Sequence, residues 1–365
     1  MKPKIYTIST ASGMSLKASS LGGIVTSLRV PGPGGKPAEV LLAGPGPETH
    51  HEHGYMNAII GRVGNRISGG GFELDGKRCE MGLNSGTGKT KCTLHGGPVG
   101  FDQKIWDVRQ YDAPEGPALE FTTLSPDGDQ GFPGNLFVRV VYTLCENDAW
   151  KLDYYAVTDR PTVVNLTQHA YFNLTGGRRD VLDHWVQVNA SRYTEAGPGL
   201  IPTGRIPSVE GTALDLREGS LLRDVLALKN KDAALKPAGG IDHNFVLDRV
   251  GDGLEYAATL VDSESGLSME VWTTEPGVQV YSGNFLAGTP ARGGATYGRH
   301  HGICFETQHA PDTPNRPGFG SIRLDPGRLY HSTTVYRFGL AEEDGCGCGC
   351  KGGEGCNHDH GAARA

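Results

Sequence analysis

The sequence predicts an all-β protein built as a large antiparallel β-sandwich. Three observations carry that prediction. Strand-length apolar or alternating runs recur along most of the chain, clusters of turn-forming residues separate them, and regular helices do not intervene. A parallel α/β fold needs a crossover helix between successive strands, so the missing helices point to antiparallel layers. The 55 glycines and 22 prolines supply the many turns that such a chain requires.

Taken in order, residues 24–30 form the first strand and end at the turn PGPGG. The run 71–74 leads into LDGK. Runs 118–123 and 136–144 flank PDGDQGFPG, and 150–158 follows directly. A longer stretch, 163–174, is next, then 186–189 and the turn-rich EAGPGLIPTG. The pattern LREGSLLRDVLALKNKD, 216–232, predicts the one helix. Beyond it, 255–260 starts after DRVGDG, and 268–274, 278–281, 302–307 and 333–338 complete the strands. No internal repeat or interdomain linker appears before about Gly339, so residues 1–340 read as one β-sandwich domain. Residues 341–365, GLAEEDGCGCGCKGGEGCNHDHGAARA from Gly339 onward, cannot bury a core and read as a disordered Gly/Cys/His-rich tail.

A net charge of -7 argues against a nucleic-acid surface, which needs a basic footprint. The opening MKPKIYTISTASGMSL has lysines but no apolar run after them, so no secretory signal is read there. No apolar run reaches bilayer length, so no membrane partner is expected. Cys79, Cys92, Cys145 and Cys304 are scattered through the body and fit free thiols in a reducing cytoplasm.

Two tempting motifs fail. GTGKTKC resembles the end of a phosphate-binding loop, but the glycine it needs upstream is Leu83. HHEHGY, with His50, His51 and His53 around Glu52, lacks the HExxH spacing and reads as a surface loop. A more informative stretch is NLTQHAYFNLTGG, from Asn165. Strand alternation sends Asn165, Thr167, His169, Tyr171 and Asn173 to one face and Leu166, Gln168, Ala170, Phe172 and Leu174 to the other. That is either a solvent-facing row or the floor of a cleft. Other segments offer polar groups that could converge on it. GRVGNRI supplies Asn65 and Arg66, LHGG supplies His95, DHNF supplies Asp242 and GVQVY supplies Gln279. In GICFETQ, Cys304, Glu306 and Gln308 share one face of a strand, while Ile303, Phe305 and Thr307 share the other. Each alone is better read as a turn residue, a surface charge or a satisfied loop histidine.

Together, GRVGNRI, LHGG with GFDQKIW, SPDGDQGFPGNL, NLTQHAYFNL, DHNF, TTEPGVQVYSGNF and FETQHAPDTPNRPGFGSIRL resemble, in order, segments of the aldose 1-epimerase (galactose mutarotase) family. The resemblance covers about residues 5–340. It implies a sandwich with an open sugar cleft on one sheet and interconversion of the α and β anomers of free hexoses such as glucose and galactose. It implies Glu306 as base and His169 as acid, with Asn65, Arg66, His95, Tyr171, Asp242 and Gln279 holding the sugar. Acid–base ring opening calls for no cofactor and no metal.

Three alternatives stand beside this reading. A sugar-binding module without turnover would need neither Glu306 nor His169. A hexose-6-phosphate 1-epimerase would need a basic cluster, to which Arg178 and Arg179 are candidates. A nucleotide-sugar epimerase would need a dinucleotide fingerprint, which the sequence lacks. The resemblance is silent on the tail. There Cys346, Cys348, Cys350 and Cys356, with His358 and His360, are ligands suited to adventitious zinc or copper(I).

Overall fold

The computed structural model describes residues 2–47 and 54–341. Its largest layer is a nine-stranded antiparallel sheet. In spatial order its strands are Asp107–Ala113, Gly116–Ser125, Leu136–Cys145, Ala149–Thr158, Tyr330–Leu340, Leu267–Thr273, Glu255–Asp262, His184–Val188 and Ser220–Leu221. The last strand among the described residues thus sits in the middle, between Ala149–Thr158 and Leu267–Thr273. Alternation decides which side is inward. Leu136, Val138, Val140, Tyr142 and Leu144 are buried, as are Trp150, Leu152, Tyr154 and Ala156 on the neighbouring strand. Phe137 and Arg139 between them are turned outward.

A smaller sheet packs against that inner face. It consists of Arg192–Tyr193, Asp242–Val246, Gly277–Tyr281 and Cys304–Gln308. Phe245, Val278, Val280 and Phe305 join the buried core with Tyr336 and Val271 of the large sheet. The layers are also tied by polar bonds. Tyr336 Oη donates to the Phe305 carbonyl at 2.9 Å, and the Thr307 and Thr334 hydroxyls lie 2.5 Å apart. With one face so occupied, the other face of the small sheet, carrying Asp242, Gln279 and Glu306, is free to build a site. A four-stranded N-terminal sheet, Ile5–Ser9, Ser15–Ser19, Val25–Pro31 and Pro37–Glu39, adds Leu16, Ala18 and Leu28 to the core.

The all-β sandwich expected from the sequence is present. Two expected elements differ. The helix expected over 216–232 is only Leu222–Ala227. Gly219 stands at φ +74° with the Trp185 ring where a Cβ would go, so the chain turns there and the helix begins after it. The strand expected over 163–174 is not one ladder. Val163 pairs with Arg323, Asn165 bridges Val63, Thr167 pairs with Ile60, and Phe172 bridges Leu41 and Ile303. Its alternation nevertheless survives, since Leu166, Ala170, Phe172 and Leu174 all lie in the core. Cys79, Cys92, Cys145 and Cys304 are free thiols. Among the described residues no helix is long and apolar enough to cross a membrane. His50, His51, Glu52 and His53, and the tail from residue 342 with all its cysteines, lie outside the described residues.

Candidate active site

The free face of the small sheet floors a cavity of about 370 Å³. Its lining includes Asn65, Arg66, His95, His169, Tyr171, Asp242 and Glu306, so seven of the eight residues singled out from the sequence meet there. Register explains how three strands cooperate. Asp242 stands opposite Tyr281, which stands opposite Cys304; two residues along, Asn244, Gln279 and Glu306 form the next row on the same face.

Gln279 is set otherwise than expected. It does not line the cavity. Its amide donates to Asp242 Oδ1 at 2.6 Å, which places it behind that carboxylate, while its own Oε1 is buried with no hydrogen-bond partner.

His169 is fixed through its backbone. Its N–H donates to the Ala58 carbonyl, and its carbonyl accepts the Asn57 N–H. Asn57 then organises the whole segment: Oδ1 accepts the Tyr171 N–H at 2.9 Å, and Nδ2 donates to the carbonyls of Val25 and Leu42. Sequence reading passed over Asn57, because nothing local marks a loop asparagine as the anchor of a distant strand. It also passed over Tyr55, Tyr281 and Phe285, which line the cavity alongside the histidines. The imidazoles stand among these rings, with His169 stacked 5.0 Å from Tyr171 and His95 tilted 4.6 Å from Tyr55.

The GRVGNR segment divides two arginines between two tasks. Arg62 is buried and donates to the Ser125, Pro126 and Pro133 carbonyls, so it ties loops together. Arg66 lines the cavity, with Nη1 on Asn65 Oδ1 at 3.1 Å and a buried Nε that has no partner. Asn65 and His95 both adopt left-handed backbone, at φ +59° and +51°, and bond reciprocally: the His95 N–H meets the Asn65 carbonyl, and the Asn65 N–H meets His95 Nδ1 at 3.1 Å. Gly96 is required next, since at φ +87° a Cβ would lie 1.9 Å from the Gly61 carbonyl oxygen.

That reciprocal bond sets the chemistry of His95. A nitrogen that accepts an N–H carries no proton, so in the neutral ring the proton is on Nε2. Burial pushes the His95 imidazole well below its ordinary pKa, and His169 and Arg66 push the same way. His95 is therefore a neutral hydrogen-bond donor. His95, His169 and Glu306 bring ligand-type atoms within 4.8 Å of one another and are the described group that could close on a metal ion. A proton on His95 Nε2 leaves no lone pair there, so this set suits hydrogen bonding better than ligation.

Glu306 is 2% exposed, and its Oε2 has no hydrogen-bond partner. Burial raises its carboxyl well above the ordinary value; Asp242 adds to the rise and Arg66 opposes it. Its Oε1 lies 3.7 Å from His169 Nε2. A carboxyl tuned upward and an imidazole thus face one cavity at a separation that spans a single reacting centre.

Over residues 4–337 the chain matches the family described as aldose 1-epimerase. It is 39% identical over 325 residues to the galactose mutarotase of Sus scrofa, covering 88% of this chain and 90% of that protein. Identity to the aldose 1-epimerase of Escherichia coli (strain K12) is 36% over 339 residues, 92% of this chain and 95% of that one. A crystal structure of an aldose epimerase homologue from C. elegans has a TM-score of 0.84 at 26% identity, covering 93% and 100% of the two chains. For a galactose 1-epimerase from Lactobacillus acidophilus the TM-score is 0.80 at 26% identity, covering 94% and 100%. By sequence over nearly its whole length, and by fold, the chain belongs to the aldose 1-epimerase family.

Proposed function

We propose that the protein interconverts the α and β anomers of free aldoses such as glucose and galactose, with Glu306 as base and His169 as acid. The observation that carries this reading is the 3.7 Å approach of Glu306 Oε1 to His169 Nε2 at the cavity floor. One base and one acid so close together can act on the two oxygens of a single carbon, and the anomeric carbon is such a centre.

The steps balance without an external oxidant. Glu306 takes the proton of the C1 hydroxyl. The electron pair forms the C1 carbonyl, the bond from C1 to the ring oxygen breaks, and His169 Nε2 protonates that oxygen. Rotation about C1–C2 presents the other carbonyl face. The C5 hydroxyl then attacks C1 while His169 recovers its proton and Glu306 returns the first one. A useful base has a pKa near the working pH, and the burial that raises Glu306 moves it in that direction. His95, held as a neutral Nε2–H donor, supplies a hydrogen bond to the ring oxygen or a neighbouring hydroxyl. Asn65, Arg66, Tyr171 and Asp242 hold the remaining hydroxyls, and Gln279 orients Asp242 from behind.

The cavity favours a neutral sugar over a hexose 6-phosphate. Arg66 is the one Lys or Arg that lines it among the described residues. Arg179 is committed to Asp183, Asp262 and Glu264, and Arg178 does not line the cavity. We read residues 1–340 as the catalytic unit and the cysteines and histidines beyond it as a separate, adventitious zinc or copper(I) ligand set.

Polarimetry tests the reading. Freshly dissolved α-D-glucose and α-D-galactose should mutarotate faster with catalytic amounts of protein. Glucose 6-phosphate should compete poorly with the free sugar. A protein that binds sugar without accelerating mutarotation would be the non-catalytic module instead.

A further inference from the structure

His169 is addressed at both ring nitrogens by one strand. Cys304 and Glu306 lie two residues apart on Cys304–Gln308 and therefore share a face. Glu306 Oε1 is 3.7 Å from His169 Nε2, and Cys304 Sγ is 3.5 Å from His169 Nδ1. The thiol is fully buried and does not line the cavity. It packs instead among Leu42, Met56, Tyr171 and Tyr281, and so meets the imidazole from behind.

We propose that Cys304 is a positioning residue: its sulfur accepts the Nδ1–H of His169, keeps one proton on that nitrogen, and leaves Nε2 as the nitrogen that gives and regains the other. This rests on the reading of His169 as the acid. The chemistry requires such a choice. After giving its proton to the sugar the ring is neutral and holds one proton, which can sit on either nitrogen. Reclosure needs Nε2 to be the bare one, since it must take the proton back. A sulfur at Nδ1 selects that tautomer.

The weakness of sulfur as an acceptor is useful here. A carboxylate at Nδ1 would stabilise the imidazolium and make it a poorer acid. A thiol orients the ring without adding charge, and burial, reinforced by Glu306 and Asp242, keeps this one protonated and neutral. The two cleft histidines thereby hold opposite tautomers. His95 carries its proton on Nε2 because Nδ1 accepts the Asn65 N–H; His169 carries its proton on Nδ1.

The experiment is two-bond ¹H–¹⁵N correlation of ¹⁵N-histidine-labelled full-length protein, at a pH where the ring is neutral. The His169 signals are identified by their loss in His169→Asn. Wild-type protein should show His169 as the Nδ1–H form, and Cys304→Ala should move it toward Nε2–H. In the same variant kcat should fall about five- to tenfold, the scale of one hydrogen bond, with KM changed less than about twofold. Cys304→Ser, which keeps an acceptor, should recover most of kcat. An Nε2–H form in wild type, an unchanged tautomer in Cys304→Ala, or a loss confined to KM would each overturn the proposal. The catalytic reading fails separately, if His169→Asn turns over like wild type; the tautomer measurement does not depend on that result.

Discussion

Glu306→Gln should destroy activity and stabilise the fold at once. The substitution preserves shape and removes the base. General-base contributions run about 10²–10⁴-fold, so kcat for mutarotation should fall by that factor. The stability argument comes from burial. Glu306 is 2% exposed, its Oε2 lacks a partner, and its folded pKa lies above the ordinary 4.5 because burial, then Asp242, disfavour the charge. A carboxyl raised in this way binds more protons folded than unfolded over the interval between the two values. Stability is therefore lost as pH rises from about 4.5 through the folded pKa, and the deficit persists above it. An uncharged amide at this position removes that deficit. Its scale is about 1–3 kcal/mol, the desolvation penalty of a buried group, here incurred by the charge that the amide never carries. With an unfolding entropy of ~2.1 cal/mol/K per residue, a chain of this length should gain about 1.5–4 °C in Tm at pH 7, and nothing near pH 4. Polarimetry with fresh α-D-glucose gives kcat, and calorimetry at the two pH values gives Tm. Near wild-type mutarotation would remove Glu306 from the base role. An inactive variant that melts lower at pH 7 would refute the claim that this carboxyl is held at a cost to stability.

Because Glu306 must be ionised to act, the acid limb of kcat/KM should reflect its raised pKa; Asp242→Asn removes a like charge and should move that limb to lower pH, read from pH–rate profiles by polarimetry. Arg66→Ala removes the opposing charge, so the limb should move to higher pH while KM rises; an unmoved limb would mean that Arg66 does not act on Glu306. Asp242→Ala should raise KM about tenfold or more for the intact sugar and little for the deoxy analogue that lacks its partner hydroxyl. Truncation after Leu340 should leave kcat and KM unchanged and abolish zinc or copper(I) binding under reducing conditions, measured by metal analysis after gel filtration; lost activity would place the tail in the catalytic unit.

Much of the site was legible because alternation is a local property. His169 and Tyr171 could be assigned to one face, and Leu166, Phe172 and Leu174 to the other, without knowing what lay across from them. The ladder itself was not legible, since 163–174 takes a different partner every few residues and no sequence pattern records a change of neighbour. Short strands such as Ile5–Ser9 and Ser15–Ser19 were missed because serine and threonine dilute their apolar signal. The helix was overextended because its leucines keep helical spacing past Gly219, whose constraint comes from Trp185, a residue remote in sequence. Gln279 was expected in the cavity on the strength of its face alone; which of two polar groups stands in front depends on the lateral pairing with Asp242. Asn57 and Tyr55 gave no signal, being loop residues that matter through tertiary contact.

The central place of Tyr330–Leu340 bears on how the chain is made. Synthesis runs from the N-terminus, so the strands on either side of that gap emerge long before the one that joins them. Until then each half presents an unpaired edge, Ala149–Thr158 on one and Leu267–Thr273 on the other, and such edges recruit foreign strands. The nascent protein must therefore wait, half-assembled, for that strand to clear the ribosome. A premature stop just before Tyr330 would spare every residue of the catalytic cleft and still leave a polypeptide with two open seams. The fate of that product would be aggregation or proteolysis rather than reduced turnover.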